Sequence, residues 1–113
     1  MPQIELVEII TLMRETNTRL NNAIKELHTQ GKEMSQAEKD YKVALAHKML
    51  ELRDKGIPVT IINDLARGDE RIAELRFKRD LARSLYDIAK EGMRSLRTEQ
   101  SVWQTISKIQ DEV

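Results

Sequence analysis

Seven cations crowd one short stretch of an otherwise balanced chain. Between residues 76 and 97 stand Arg76, Lys78, Arg79, Arg83, Lys90, Arg94 and Arg97 against Asp80, Asp87 and Glu91, a local surplus of +4. Arg76, Arg83, Lys90 and Arg97 recur every seven residues, so on a helix they line one side. Such a stripe could contact the phosphates of a nucleic acid, an interaction that weakens steeply with salt. The competing reading is a solvated helix face, because Asp80 and Asp87 alternate with the arginines at intrahelical pairing distances. Residues 57–75 and 98–113 each sum to −2, so the positive charge is local. With 19 basic and 19 acidic residues overall, no global field draws the chain to nucleic acid or anionic lipid.

The remaining chemistry is sparse. His28 and His47 are the only histidines, and neither sits in an HExxH or ExxH pattern that would hold a metal. The carboxylates lie beside basic residues, and none is flanked by apolar residues in a way that would raise its pKa for acid–base work. No serine occupies a nucleophile elbow. The absence of cysteine removes disulfides, iron–sulfur clusters and thiolate zinc sites, and it suits a reducing cytoplasm. Aromatic residues at 4% are too few for a base-stacking platform. No run approaches 18 apolar residues and no secretory signal pattern opens the chain. The sequence therefore predicts no enzyme, no cofactor, no metal and no membrane span.

The elements that must carry these residues read as helices. Leu6, Ile10, Met13, Asn17, Leu20, Ile24 and Leu27 follow at spacings of 4, 3, 4, 3, 4 and 3, the 3.5-residue repeat of a helix seam. Ile10, Asn17 and Ile24 share one core position; Leu6, Met13, Leu20 and Leu27 share the other. Isoleucine at the first, leucine at the second and one asparagine to fix register suit a parallel two-stranded coil. The flanks, with Val7, Ile9 and Ala23, widen the apolar face and fit a bundle better. In a bundle Asn17 needs a hydrogen-bond partner if buried. This first helix is expected from about residue 3 to about 29, ended by Gly31. Ser35 and Glu38 form a capping box for a second helix over about 36–55. There Tyr41, Val43, Ala44, Leu45, Ala46, Met49, Leu50 and Leu52 place apolar residues on most sides, which predicts a central, buried position.

Residues 55–71, KGIPVTIINDLARGDER, interrupt this rhythm. Gly56 can close the second helix, and Pro58 pushes Ile57 out of the helical region. A short helix capped at Thr60 would cover the end of the core with Ile61, Ile62 and Leu65. Gly68 would end it and Asp69 would cap a third helix running to about residue 110. As a helix-turn-helix the corner fails, because Asp64 stands where a small residue is needed. As a phosphate loop it fails for want of a glycine-rich run and a Lys-Ser or Lys-Thr pair. The third helix presents Ile72, Leu75, Ala82, Leu85, Ala89, Met93, Leu96, Trp103 and Ile106 on one face. Gly92 within it implies a kink or a close approach. This helix outruns its expected neighbours, which predicts self-association.

The stretch from about Ala37 to about Leu96 resembles a family of small helical proteins encoded by phages and prophages of Gram-positive bacteria. Its most specific block is Ala73-Glu74-Leu75-Arg76-Phe77-Lys78-Arg79-Asp80, with Tyr86 downstream. The resemblance implies a phage accessory protein acting in the cytoplasm of the bacterial host, encoded near replication and recombination functions. It supplies no catalytic residues. Within the block Leu75 fits the seam, whereas Phe77 points about 200° away. Phe77 is then either a plug against the corner helix, the favoured reading, or a partner-docking spot.

Together these readings predict an all-α chain of one domain spanning residues 1–113. It is an antiparallel helical hairpin or bundle of three long helices with a short helix at the corner, completed by self-association. The expected function is non-enzymatic binding of another macromolecule. Arg76, Phe77, Arg79, Arg83, Lys90 and Arg97 are the candidate contacts to a protein partner or nucleic acid. Leu6, Ile10, Met13, Trp103 and Ile106 are the candidate oligomer contacts. The alternatives are a nucleic-acid-binding accessory of phage replication or recombination, and a host-takeover or anti-defence inhibitor that masks a bacterial enzyme.

Overall fold

The computed structural model describes residues 5–112, and every regular element among them is an α-helix. These are α1 (Leu6–Asp54), α2 (Val59–Gly68) and α3 (Glu70–Asp111). The all-helical class expected from the sequence is the one observed. The count of long helices is not. The break at Gly31 is absent, and Gly31 and Ser35 both lie inside α1, so the expected capping box is unused. One glycine costs a helix about 1 kcal/mol, which the good helix formers on either side outweigh. Gly31 has a packing reason instead: a Cβ there would come within 3.3 Å of the Tyr86 ring. Gly92, the expected close approach, has open space around it.

The contacts group into two compact units, Gln30–Tyr86 and Met1–Thr29 with Asp87–Val113. In the first, residues 30–54 of α1 run antiparallel to residues 70–86 of α3. Ion pairs and ring contacts fix the direction: Glu38 meets Arg83, Tyr41 meets Arg79 and Lys48 meets Asp69. Buried or half-buried residues recur at alternating three- and four-residue steps, as Met34, Ala37, Tyr41, Ala44, Lys48 and then Leu52 on α1, and Ile72, Leu75, Arg79, Ala82 and Tyr86 on α3. This is one seam on each helix. It leaves Val43 and Leu50 47% and 55% exposed. The central, all-round buried helix expected here is therefore not observed, because only α2 and α3 are available to cover it.

The corner follows local chemistry. Gly56 adopts φ 81°, the left-handed region. Its N–H donates to the Arg53 carbonyl at 3.0 Å, and the Ile57 N–H donates to the Leu52 carbonyl at 3.1 Å. These are the two bonds of a Schellman helix end, with Pro58 barring continuation. Pro58 itself stands at the N-cap of α2 and no side chain caps that end. Thr60 is thus inside the first turn rather than at the cap, because the helix starts two residues earlier than expected. Ile62 and Ala66 pack inward, while Ile61 and Leu65 stay 44% and 46% exposed. The expected three-residue plug is one isoleucine and an alanine, since a ten-residue helix offers only a narrow inner stripe. Asp69 does cap α3: its Oδ1 accepts from the Arg71 and Ile72 N–H groups at 3.1 and 3.3 Å.

In the other unit, residues 6–29 of α1 pack against the C-terminal half of α3. The inward seam is Ile9, Met13, Thr16, Leu20, Ala23 and Leu27, with Ile9 and Thr16 only 0% and 2% exposed. Of the expected seam, Met13, Leu20 and Leu27 do face inward, but its other core position is taken by Ile9, Thr16 and Ala23 in place of Ile10, Asn17 and Ile24, which are exposed. One residue is a rotation of about 100°. Thr16 and Ala23 are small enough to admit a close helix, and the Thr16 hydroxyl donates to Glu99 at 3.3 Å. Asn17 therefore needs no buried partner. On α3 the facing residues are Ala89, Met93, Leu96, Gln100, Trp103 and Ser107.

Two stability changes follow. Ile62→Ala, at a 6% exposed side chain, should lower the unfolding free energy by about 2–5 kcal/mol, and exposed Asn63→Ala by less than about 0.5 kcal/mol. Gly92→Ala should raise it by about 1 kcal/mol, and Gly31→Ala by less because the Tyr86 ring must give way. Urea denaturation of the four variants checks both.

Candidate interaction surfaces

The cationic stripe does not survive as a row of free charges. Arg79 lies in the seam: its guanidinium stands 4.5 Å over the ring of Tyr41, which is 5% exposed, and its Nη2 donates to Asp80 at 3.0 Å. Its own side chain is only 16% exposed. Arg83 donates to Glu38 Oε1 at 2.9 Å, and Lys90 is half-buried with an interaction of its own. Arg76 and Arg97 are exposed, one in each unit. Apolar periodicity missed Arg79 because arginine is not counted as a core residue. Its step of four from Leu75 and three to Ala82 was the available signal, together with an aromatic residue on α1 to stack upon.

The carboxyls that the fold perturbs are all held charged. Glu38 is pulled below the usual carboxylate range by Lys42 and then by Arg83. The Lys55 hydrogen bond, followed by the Lys48 charge, does the same for Glu51. Asp69 is lowered first by the Ile72 N–H at the cap of α3 and then by Lys48, 3.4 Å away. Lys48, Glu51, Asp69 and Arg71 share a cleft with His47 and Ile72, where opposite charges already pair with each other. Among the described residues no group of histidines and carboxylates is arranged to hold a metal ion, and no helix is long and apolar enough to cross a membrane.

The apolar surface is more informative. Phe77 is 62% exposed, which overturns its expected role as a plug against the corner helix. The reason is angular: position 77 lies off the seam that Leu75 and Arg79 occupy, and α2 packs through Ile62 and Ala66. Phe77, Leu81 and Leu85 stand one turn apart, and the latter two are also exposed. Leu81 and Leu85 form one wall of a groove whose other wall includes Gln30, Glu33, Ala37 and Asp40. In the other unit Leu6 and Ile10 are exposed, while Met13, Trp103 and Ile106 are half-buried. The Trp103 indole Nε1 and the Gln100 Oε1, one turn apart, are buried without a hydrogen-bond partner.

Two measurements separate structural from surface charge. Arg79→Ala should destabilise by about 1–2 kcal/mol through loss of the stack on Tyr41, whereas Arg76→Ala should change stability by less than about 0.5 kcal/mol. A carboxyl with a lowered folded-state pKa stabilises above its unfolded value and loses that contribution as the pH falls through the folded one. The stability gap between the wild type and Asp69→Ala should therefore be full at neutral pH. It should narrow below about pH 4, the ordinary aspartate range. Thermal melts across that range test the sign.

Comparison of the chain with protein-family models, curated proteins and solved structures finds no match.

Proposed function

We propose that this chain is a non-enzymatic helical protein that self-associates and acts by binding another macromolecule, a protein, through exposed apolar faces of α3 and α1. The observation that carries the reading is the amount of large apolar side chain left uncovered. Phe77, Leu81, Leu85 and Ile88 on α3 are between 42% and 67% exposed, as are Leu6, Ile10 and Ile24 on α1 at 40% to 45%. Exposed large apolar side chains that stand together are what interaction sites leave uncovered in the isolated chain.

The Phe77-Leu81-Leu85 row runs along one side of α3, and an apolar side of a helix is what docks in a partner's groove. Its flanks, Arg76 and Lys78, supply positive charge at the rim. The phage setting, with action in the host cytoplasm, rests on the resemblance of residues 37–96 alone. It makes a bacterial protein the partner to seek. The nucleic-acid alternative is weakened, because Arg79 and Arg83 are already engaged within the fold.

Immobilised wild-type protein should retain a specific protein from Gram-positive lysate, and Phe77→Asp/Leu81→Asp should lose it while its helical signal and melting temperature hold. Retention that is identical for both proteins would reject this face. Binding of labelled DNA at about 50 mM salt that collapses on raising the salt would favour the nucleic-acid reading instead.

A further inference from the structure

We infer that a second copy of the chain packs parallel to the first along the outward seam of α1, with the two Asn17 side chains facing one another across the two-fold axis. This rests on the self-association proposed above and names its face, its orientation and its register.

The seam is Leu6, Ile10, Met13, Asn17, Leu20, Ile24 and Leu27. The turn towards α3 is taken by Ile9, Thr16 and Ala23, so Ile10, Asn17 and Ile24 point elsewhere and are exposed. Met13, Leu20 and Leu27 are half-buried, shared between the inward seam and this one. The first core position thus holds Ile, Asn and Ile, and the second holds Leu, Met, Leu and Leu, the distribution that favours two parallel strands. The outward face of α3 among the described residues of this unit is less continuous. On α3 the outward apolar residues Ile88, Val102 and Ile109 are separated by Gly92, Ser95 and Glu99, and Glu99 is already bonded to Thr16 and Arg19.

Asn17 decides the orientation. In a parallel pair each first-position residue faces its own copy, so the two amides can hydrogen-bond to each other. In an antiparallel pair a first-position residue faces a second-position one, and Asn17 would be buried against Met13 or Leu20 without a partner.

The chain has no cysteine, so Asn17→Cys gives each copy a single thiol. Residues facing across a parallel seam fall within the Cα separation a disulfide requires. Sedimentation equilibrium should show the wild type as a dimer. In a glutathione redox buffer Asn17→Cys should form a covalent dimer at least about tenfold faster than Glu15→Cys, whose thiol lies on the far side of the helix. Ile24→Glu should leave the helical signal unchanged and shift the dimer to monomer. A wild-type dimer in which Asn17→Cys links no faster than Glu15→Cys, or in which Ile24→Glu stays dimeric, overturns this face and register but leaves self-association standing. A wild type that is monomeric at every concentration overturns both.

Discussion

Each long helix gets most of its burial from the other, so the structure depends on which stripe of α1 is turned towards α3. A helix with a 3.5-residue apolar repeat can direct only one seam at a single partner. In the unit containing the start of α1, that seam is Ile9, Thr16 and Ala23, and in the unit containing its end it is Ala37, Tyr41 and Lys48. Small residues at 16, 23 and 37 let the helices come close. Glycine at 31, against the Tyr86 ring, does the same. On the α1 side of the seam, Thr16 and Tyr41 are met by specific partners. Glu99 accepts from Thr16 and Arg19, and Tyr41 lies beneath Arg79.

From that choice of stripe comes the surface. Turning Ile9 inward turns Ile10 outward, and seating Arg79 in the seam leaves Phe77 about 200° away on the other side. The exposed apolar rows are thus consequences of the pairing. Pairing two helices covers one face of each and leaves the rest exposed. The cations show the converse. Periodicity alone places Arg76, Arg83, Lys90 and Arg97 in one line, yet Arg83 is committed to Glu38 and Lys90 is half-buried, so the line is partly a structural feature.

Much of the corner was legible in the sequence because its signals are local. Gly56 takes the left-handed cap, Pro58 bars continuation, and Asp69 caps α3 through bonds within three residues. The failures concern context. Gly31 and Ser35 carry helix-ending chemistry, but both lie inside α1, where Gly31 stands against the Tyr86 ring instead. One of the two core positions of the α1 seam was misplaced by one residue, while Met13, Leu20 and Leu27 were placed correctly, because Ile10, Asn17 and Ile24 make a better apolar repeat than Ile9, Thr16 and Ala23. Hydrophobicity chose the former, and close packing with a satisfied hydroxyl chose the latter. Only its step of four from Leu75 and three to Ala82 marks Arg79 as a seam residue, and the aromatic ring it stacks on lies on another helix. The candidate contacts were named by type and spacing, and neither reports which side chains the fold has already engaged.

The most direct test of the account compares Ile9→Ala with Ile10→Ala in thermal and urea unfolding over a wide range of protein concentration. Ile9 is 0% exposed and Ile10 40%. If Ile9 faces α3 within the chain, Ile9→Ala should lower stability by about 2–5 kcal/mol at every concentration. Ile10→Ala should melt like the wild type when dilute and fall behind it as the concentration rises and the outer seam is covered. A dilute Ile10→Ala variant that loses as much stability as Ile9→Ala, or more, would contradict the account.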